Sequence, residues 1–168
     1  MKRLAAFILI LSLLVLFCSC SVFGYQKEDY VTFYYCQAEY DYADGDGVIA
    51  PEDRDVTGRT DDLEYLLPLY LVGPLDEDLA SPFPTRTQLI SAQMLENTLT
   101  ITLSETENAL TDSQFSLACA CLTMTCLEIT DAEQVTIICS NRSITMNRDS
   151  FLLYDDITLT QNTKEETQ

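Results

Sequence analysis

Carboxylates form the densest group of side chains that could do chemistry in this 168-residue sequence. One short stretch holds four of them: Asp44, Asp46, Glu52 and Asp53. Paired carboxyl groups could bind a metal ion or serve as the acid and base of a glycosidase. However, the chain has 27 Asp and Glu residues, so close pairs arise without any function. The acids alone therefore do not indicate hydrolysis.

The same stretch partly matches a calcium-binding loop. In that alignment Asp44 and Asp46 take the third and fifth positions and Asp53 takes the twelfth. Tyr42 would occupy the first position, which requires a carboxylate. A tight turn between two strands explains the Asp-Gly-Asp-Gly sequence without an ion. The sequence thus predicts no metal site, with calcium at these three acids as the weaker alternative.

Histidine is absent and cysteine is frequent, with seven residues. Without histidine there can be no Ser-His-Asp triad, no Cys-His pair and no imidazole ligand for zinc. Cys119, Cys121 and Cys126 fall in one predicted helix, where they would point in different directions over about 10.5 Å of its axis. They are therefore predicted to be small core residues rather than ligands. The sequence predicts no catalytic residue and no cofactor.

The N-terminus has the order of a lipoprotein export signal. Lys2 and Arg3 precede an apolar run, after which Cys20 follows the small Ser19. The run is short for a membrane-spanning helix, which needs about 20 apolar residues. We therefore expect cleavage before Cys20 and a lipid on its thiol. An uncleaved anchor or a plain secreted protein is the alternative.

The predicted mature chain is strongly acidic and is expected to work outside the cytoplasm. Loss of the signal removes two basic residues and no acid, which leaves 7 basic against 27 acidic residues and a net charge of −20. Such a chain repels phosphate backbones, so nucleic acid is not an expected partner. Membrane contact is expected through the lipid alone. Five cysteines remain besides Cys20, an odd number that leaves at least one thiol unpaired.

The first half of the mature chain is predicted to contain two strands and a helix. Residues 30–35 are rich in aromatic and β-branched side chains, and a second strand follows the acidic turn. A helix is predicted to begin at Asp61, with Glu64 three residues on. Pro68 should kink or shorten it, and Gly73 should end it.

The second half has clearer signals. Strands over 87–95 and 98–104 form a predicted hairpin, whose second strand alternates leucine or isoleucine with threonine. Thr111 and Gln114 form a capping box for a helix that runs from Ser113 to about Ile129. A further strand is predicted over residues 134–140, which completes the seven elements, and residues 151–159 are a candidate for a last strand.

The resulting order, ββαββαβ, predicts an α+β fold. Two helices are expected on one face of a mostly antiparallel sheet, whose other face stays in contact with water. The predicted organisation is a signal peptide, a tether, a single domain and a polar tail, over residues 1–19, 20–29, 30–159 and 160–168.

Several segments follow one another in a distinctive order. The most specific is the leucine-rich helix that ends at Gly73-Pro74, followed by Pro84 and the hairpin, and the others are the aromatic first strand and the segments 48–54, 121–127 and 135–138. In this order they resemble the GerMN domain family of sporulation and spore germination, and the resemblance covers about residues 30–157. It implies an exported lipoprotein, a fold related to ring-building modules, and no catalytic residues.

These observations favour a non-catalytic, lipid-anchored interaction module in sporulation, germination or cell-envelope assembly. The threonine face of the hairpin, with Thr98, Thr100 and Thr102, is the surface expected to contact a protein partner or another copy of the chain. The alternative is a small-ligand-binding or hydrolytic surface lipoprotein that uses carboxylates of the acidic stretch.

Overall fold

The computed structural model describes residues 29–39, 47–104 and 110–151. Within these ranges the chain forms an α+β fold, as predicted. Its helices and strands, in chain order, are β1 Tyr30–Gln37, β2 Ile49–Asp55, α1 Leu63–Val72, β3 Leu79–Ala80, β4 Leu89–Leu95, β5 Thr98–Leu103, α2 Asp112–Ile129, β6 Gln134–Cys139 and β7 Arg142–Asn147.

The strands form two sheets rather than the expected one. The first sheet has the order β2-β1-β3 and is antiparallel throughout. The second has the order β4-β5-β6-β7, with antiparallel pairs at both ends and a parallel β5–β6 pair in the middle. The parallel pair follows from α2, because a helix that connects two neighbouring strands of a sheet brings the chain back in the same direction.

Side chains of the helices bond to the edge of β1 and so replace a strand there. The Tyr34 amide donates to the hydroxyl of Thr125 on α2 at 2.9 Å, and the Tyr34 carbonyl accepts from the hydroxyl of Tyr70 on α1 at 3.1 Å. On the other side of β1, Pro51 lies directly opposite Tyr34. Proline has no amide hydrogen, and none is needed at this pair because both polar groups of Tyr34 bond to the helices.

The core is built from α2, α1, β1 and the central strands of the second sheet. Leu99 and Ile101 on β5 are fully buried, as are Val135 and Ile137 on β6. The predicted capping box of α2 is present, since the Gln114 amide donates to Thr111 Oγ1 and the Thr111 amide donates to Gln114 Oε1.

Helix α1 begins one residue later than expected. Asp62, not Asp61, is its N-cap and accepts the amide of Tyr65 at 3.1 Å. The helix continues through Pro68 to Val72 and ends at Gly73. The φ of Gly73 is 108°, a backbone conformation that glycine adopts readily and other residues rarely adopt.

The described residues include a strand near their C-terminal end that was not predicted. The last described strand is β7, which pairs with β6 through a two-residue turn at Ser140 and Asn141. Phe151 follows a short 3-10 turn and is not in a strand, and the rest of the predicted strand 151–159 lies outside the described residues. None of the helices in the described ranges combines the length and apolar character needed to cross a membrane.

Candidate functional site

Among the acids singled out in the sequence that lie in the described ranges, Glu52 makes the most contacts with the rest of the fold. One of its carboxylate oxygens pairs with the guanidinium of Arg54. The other accepts the backbone amides of Leu75 and Asp76, each at 2.8 Å. Glu52 thus holds the loop that follows α1 against β2.

Arg54 completes this arrangement from the same strand. It is only 7% exposed, and its guanidinium also donates to the carbonyl of Gly73 at 3.2 Å and lies over the ring of Phe33. Burial tends to raise the pKa of Glu52, but the hydrogen bonds from Arg54 and from the Asp76 and Leu75 amides outweigh it, so the pKa lies below its ordinary value. A glycosidase acid needs a raised pKa, so this carboxylate is set up for structure rather than catalysis.

The three acids of the calcium alternative are not brought together by any described contact. Asp53 is exposed on β2 and accepts the hydroxyl of Thr32 at 2.8 Å. Asp44 and Asp46 lie outside the described residues. Among residues 29–39, 47–104 and 110–151, no three acidic, cysteine or histidine side chains form a group that could hold a metal ion.

An open cleft of about 590 Å³ lies where β1, β2 and the loop before β3 meet. Its acidic side chains are Glu39, Asp76, Glu77 and Asp78, and its other lining residues are Gln37, Ala38, Ala50, Pro51 and Leu79. None of these lining residues has a basic, hydroxyl or thiol side chain. The cleft is therefore an acidic surface, and carboxylates alone, in a chain that has 27 of them, do not indicate catalysis.

Tyr35 and Tyr70 form a buried pair between β1 and α1. Their rings are stacked, with centroids 4.9 Å apart, and the Tyr35 hydroxyl donates to the Tyr70 carbonyl at 3.1 Å. Burial raises the pKa of both phenols, so both stay protonated at neutral pH. The pair therefore packs two elements together and offers no phenolate for chemistry.

The cysteines of α2 are buried, as the sequence predicted. Burial raises the pKa of Cys119 to about 12 and also raises the pKa of Cys126, so these thiols are not reactive. Cys36 differs because it is only half-buried, and its sulfur lies 3.7 Å from the sulfur of Cys121. Sequence reasoning missed this contact, which joins residues 85 positions apart. Cys20, the predicted lipid attachment point, lies outside the described residues.

The predicted threonine surface extends across the whole second sheet. Cross-strand neighbours place the following residues on one side of it, which we call the uncharged sheet face: Ser91, Gln93, Leu95, Thr98, Thr100, Thr102, Gln134, Thr136, Ile138, Ser143, Thr145 and Asn147. All twelve are at least partly exposed and none is charged. Hydrogen bonds link Thr136 to Thr145 and Gln134 to Thr98, each at 2.8 Å.

The described part of the chain is thus an α+β module whose buried polar groups serve its own packing and whose second sheet has an uncharged outer surface. The chain belongs to the Germane family, described as sporulation and spore germination, whose sequence model matches residues 32–144. That family is not known as enzymatic. This match confirms the family resemblance seen in the sequence.

Two further comparisons accompany the family match. The chain is similar to the crystal structure of a candidate lipoprotein from Clostridium perfringens, with a TM-score of 0.46 and 17% identity over 77% of this chain and 95% of that one. No curated protein matches the chain. The family assignment rests on the family match alone.

Proposed function

We propose that the protein is a non-catalytic module, anchored by a lipid on the extracytoplasmic face of the cell membrane, that binds a protein partner or other copies of itself during sporulation, germination or cell-envelope assembly. The observation that supports this proposal best is the family match over residues 32–144, which covers most of the predicted domain. The export signal before it supports the anchor, since Cys20 follows a charged and then apolar segment.

The chemistry of the described residues supports a binding role over catalysis. Both carboxylate oxygens of Glu52 are already bonded, one to Arg54 and the other to two backbone amides. Burial keeps the buried tyrosines and the α2 thiols protonated. The pKa of Glu52 is lowered, whereas the acid of a glycosidase needs a raised one. The described acids therefore give the hydrolytic alternative no specific support.

The uncharged sheet face is the surface proposed for the partner. The interface cores of proteins are depleted in charged residues, because burying an unpaired charge is costly. On a chain with a net charge of −18, a twelve-residue face without charge is where a second acidic surface could approach with least repulsion. Leu95, at 76% exposure, adds apolar area at one edge.

A photo-crosslinking amino acid at a defined position tests this surface in sporulating cells. Placed at Thr136 in the centre of the face, it should give a covalent adduct whose mass separates self-association from a different protein. Placed at Thr85, which is exposed in the turn before β4 and is not one of the twelve residues of the face, it should give none. No adduct from position 136, or equal adducts from both positions, would contradict the proposed surface.

The lipid anchor is tested by metabolic labelling with a fatty acid that carries an alkyne. The full-length chain should take up the label and sediment with membranes, and Cys20→Ala should lose both properties. Cys18→Ala is the matched control and should keep both, because the bulky Phe17 precedes Cys18. Label that remains in Cys20→Ala would show that the anchor is assigned to the wrong residue.

A further inference from the structure

The thiols of Cys36 and Cys121 lie together at the contact between β1 and α2. Their sulfur atoms are 3.7 Å apart, and a disulfide bond requires about 2.05 Å, so a small approach of the two side chains would bring them within bonding distance. Next to this contact, the Tyr34 amide is bonded to Thr125 on the same helix. The two elements are thus already held together at the position where a bond would form.

The two sulfurs differ in access. Cys121 has no exposed surface, whereas Cys36 is half-buried on β1 and can meet a molecule from solution. The hydrogen bond between Cys36 and Cys121 lowers the pKa of Cys36 and outweighs the effect of burial, which raises it. Cys36 is therefore suited to react first and Cys121 second, because only Cys36 is reachable from outside and only Cys121 lies next to it.

We infer that Cys36 and Cys121 form a disulfide that cross-links β1 to α2 when the folded chain meets an oxidant of the disulfide class, such as oxidised glutathione or the disulfide of an exported thiol oxidoreductase. The inference rests on the proposed function for one point only, which is that an exported chain would meet such an oxidant.

The reaction proceeds by two exchanges. The Cys36 thiolate attacks one sulfur of the oxidant, breaks its disulfide, and releases one of its halves as a thiolate that takes up the Cys36 proton. The Cys121 sulfur then attacks the Cys36 sulfur of this mixed disulfide, loses its proton, and releases the second half as a thiol. Two protein thiols are oxidised to one disulfide, and the oxidant's disulfide is reduced to two thiols.

This pairing is compatible with the five cysteines that the predicted mature chain has besides Cys20. With Cys20 under the lipid, a single bond between Cys36 and Cys121 leaves Cys119, Cys126 and Cys139 as three thiols, all of them buried. Because the bond would close a loop between residues 85 positions apart, it should constrain the unfolded chain strongly.

The test uses the full-length protein in detergent, treated with oxidised glutathione or with a reducing agent. Free thiols are then alkylated in denaturant and the peptides are mapped without reduction. We expect one cross-linked pair, Cys36 with Cys121, and a rise in melting temperature on the order of 10 °C that reduction reverses. Cys36→Ala should lose both effects, and Cys126→Ala, which also removes a buried thiol of α2, should keep both.

Alkylation of both Cys36 and Cys121 after oxidation, or a cross-link from Cys36 to another cysteine, would overturn the inference. Mapping of the unmodified sequence decides this even if a variant fails to fold. The oxidant is supplied, so the result does not depend on export. A cross-link that forms with purified protein, together with reduced thiols trapped in intact cells, would support the pairing and would count against the proposed location.

Discussion

Glu52 and Arg54 lie two positions apart on β2, so their side chains project from the same side of the strand and pair there, almost fully buried. The pair also binds the loop that follows α1, through the Leu75 and Asp76 amides and the Gly73 carbonyl. A local sequence feature of one strand thus fixes a loop more than twenty positions away. The predictions below begin from this pair.

Substitution of Glu52 by Gln should destabilise the fold in a pH-dependent way. It leaves the buried guanidinium of Arg54 without its counter-charge, and loss of one partner of a buried pair costs about 3 kcal/mol. The pKa of Glu52 is depressed in the folded state, so its stabilisation is present above the ordinary value of 4.5 and is lost as the pH falls through the folded pKa. The stability difference from the unmodified chain should therefore be large at pH 7 and shrink below about pH 4.5.

Denaturant unfolding at a series of pH values measures this difference. Asp53→Asn is the matched control, because Asp53 neighbours Glu52 on the same strand but is exposed, and it should cost much less. A cost for Glu52→Gln that stays constant down to pH 3 would show that the charge of Glu52 contributes nothing.

Substitution of Thr125 by Val should weaken the contact between β1 and α2. Valine has nearly the same shape but cannot accept the Tyr34 amide, and a buried donor without a partner costs about 1–3 kcal/mol. Thr123→Val is a matched control on the same helix, because the Thr123 hydroxyl is fully buried and has no hydrogen-bond partner among the described residues. It should be neutral or stabilising. Equal losses of unfolding free energy in the two variants would contradict the role given to Thr125.

Substitution of Gly73 by Ala should cost about 1–3 kcal/mol through the backbone alone. Gly73 has φ 108° and ψ 176°, a region that is essentially restricted to glycine. The nearest atom to an added Cβ would be the Ser81 Cβ at 3.5 Å, an ordinary contact, so crowding contributes little. Gly47→Ala, where φ is not in the left-handed region, should change the melting temperature far less. A Gly73→Ala variant as stable as the unmodified chain would argue against backbone strain at this position.

Expression of the gene should be confined to sporulation if, of the proposed roles, the one in sporulation is correct. A fluorescent reporter under the native promoter should stay dark during growth and switch on after the cells commit to sporulate. Constitutive expression beside genes for hydrolases would instead favour the ligand-binding or hydrolytic alternative.

Local signals made the hairpin and α2 predictable. The alternation over Thr98–Leu103 sets one face of β5 toward the core, and the capping box at Thr111 marks the start of the helix. Strand β7 was missed because its alternation is weak, although Ile144 and Met146 pack against the core and alternate with the exposed Ser143 and Thr145. That period of two is the signal that could have located it.

The division into two sheets and the role of Glu52 could not be predicted from the sequence. Both depend on contacts between distant positions, such as Tyr34 with Thr125 and Glu52 with Leu75, which leave no local pattern. The contact between Cys36 and Cys121 is hidden for the same reason. Composition indicated an excess of acids, but only the register of four strands shows that one face has none.

The stacked rings of Tyr35 and Tyr70 also give the protein an optical property of its own. The chain has no tryptophan, so tyrosine dominates its near-ultraviolet absorption and its fluorescence. Two buried rings held at a fixed separation lie in a rigid asymmetric environment, which gives tyrosine a stronger near-ultraviolet circular dichroism than a freely rotating exposed ring has. The near-ultraviolet signal should therefore report whether β1 keeps its place against α1, separately from the far-ultraviolet signal of the helices themselves.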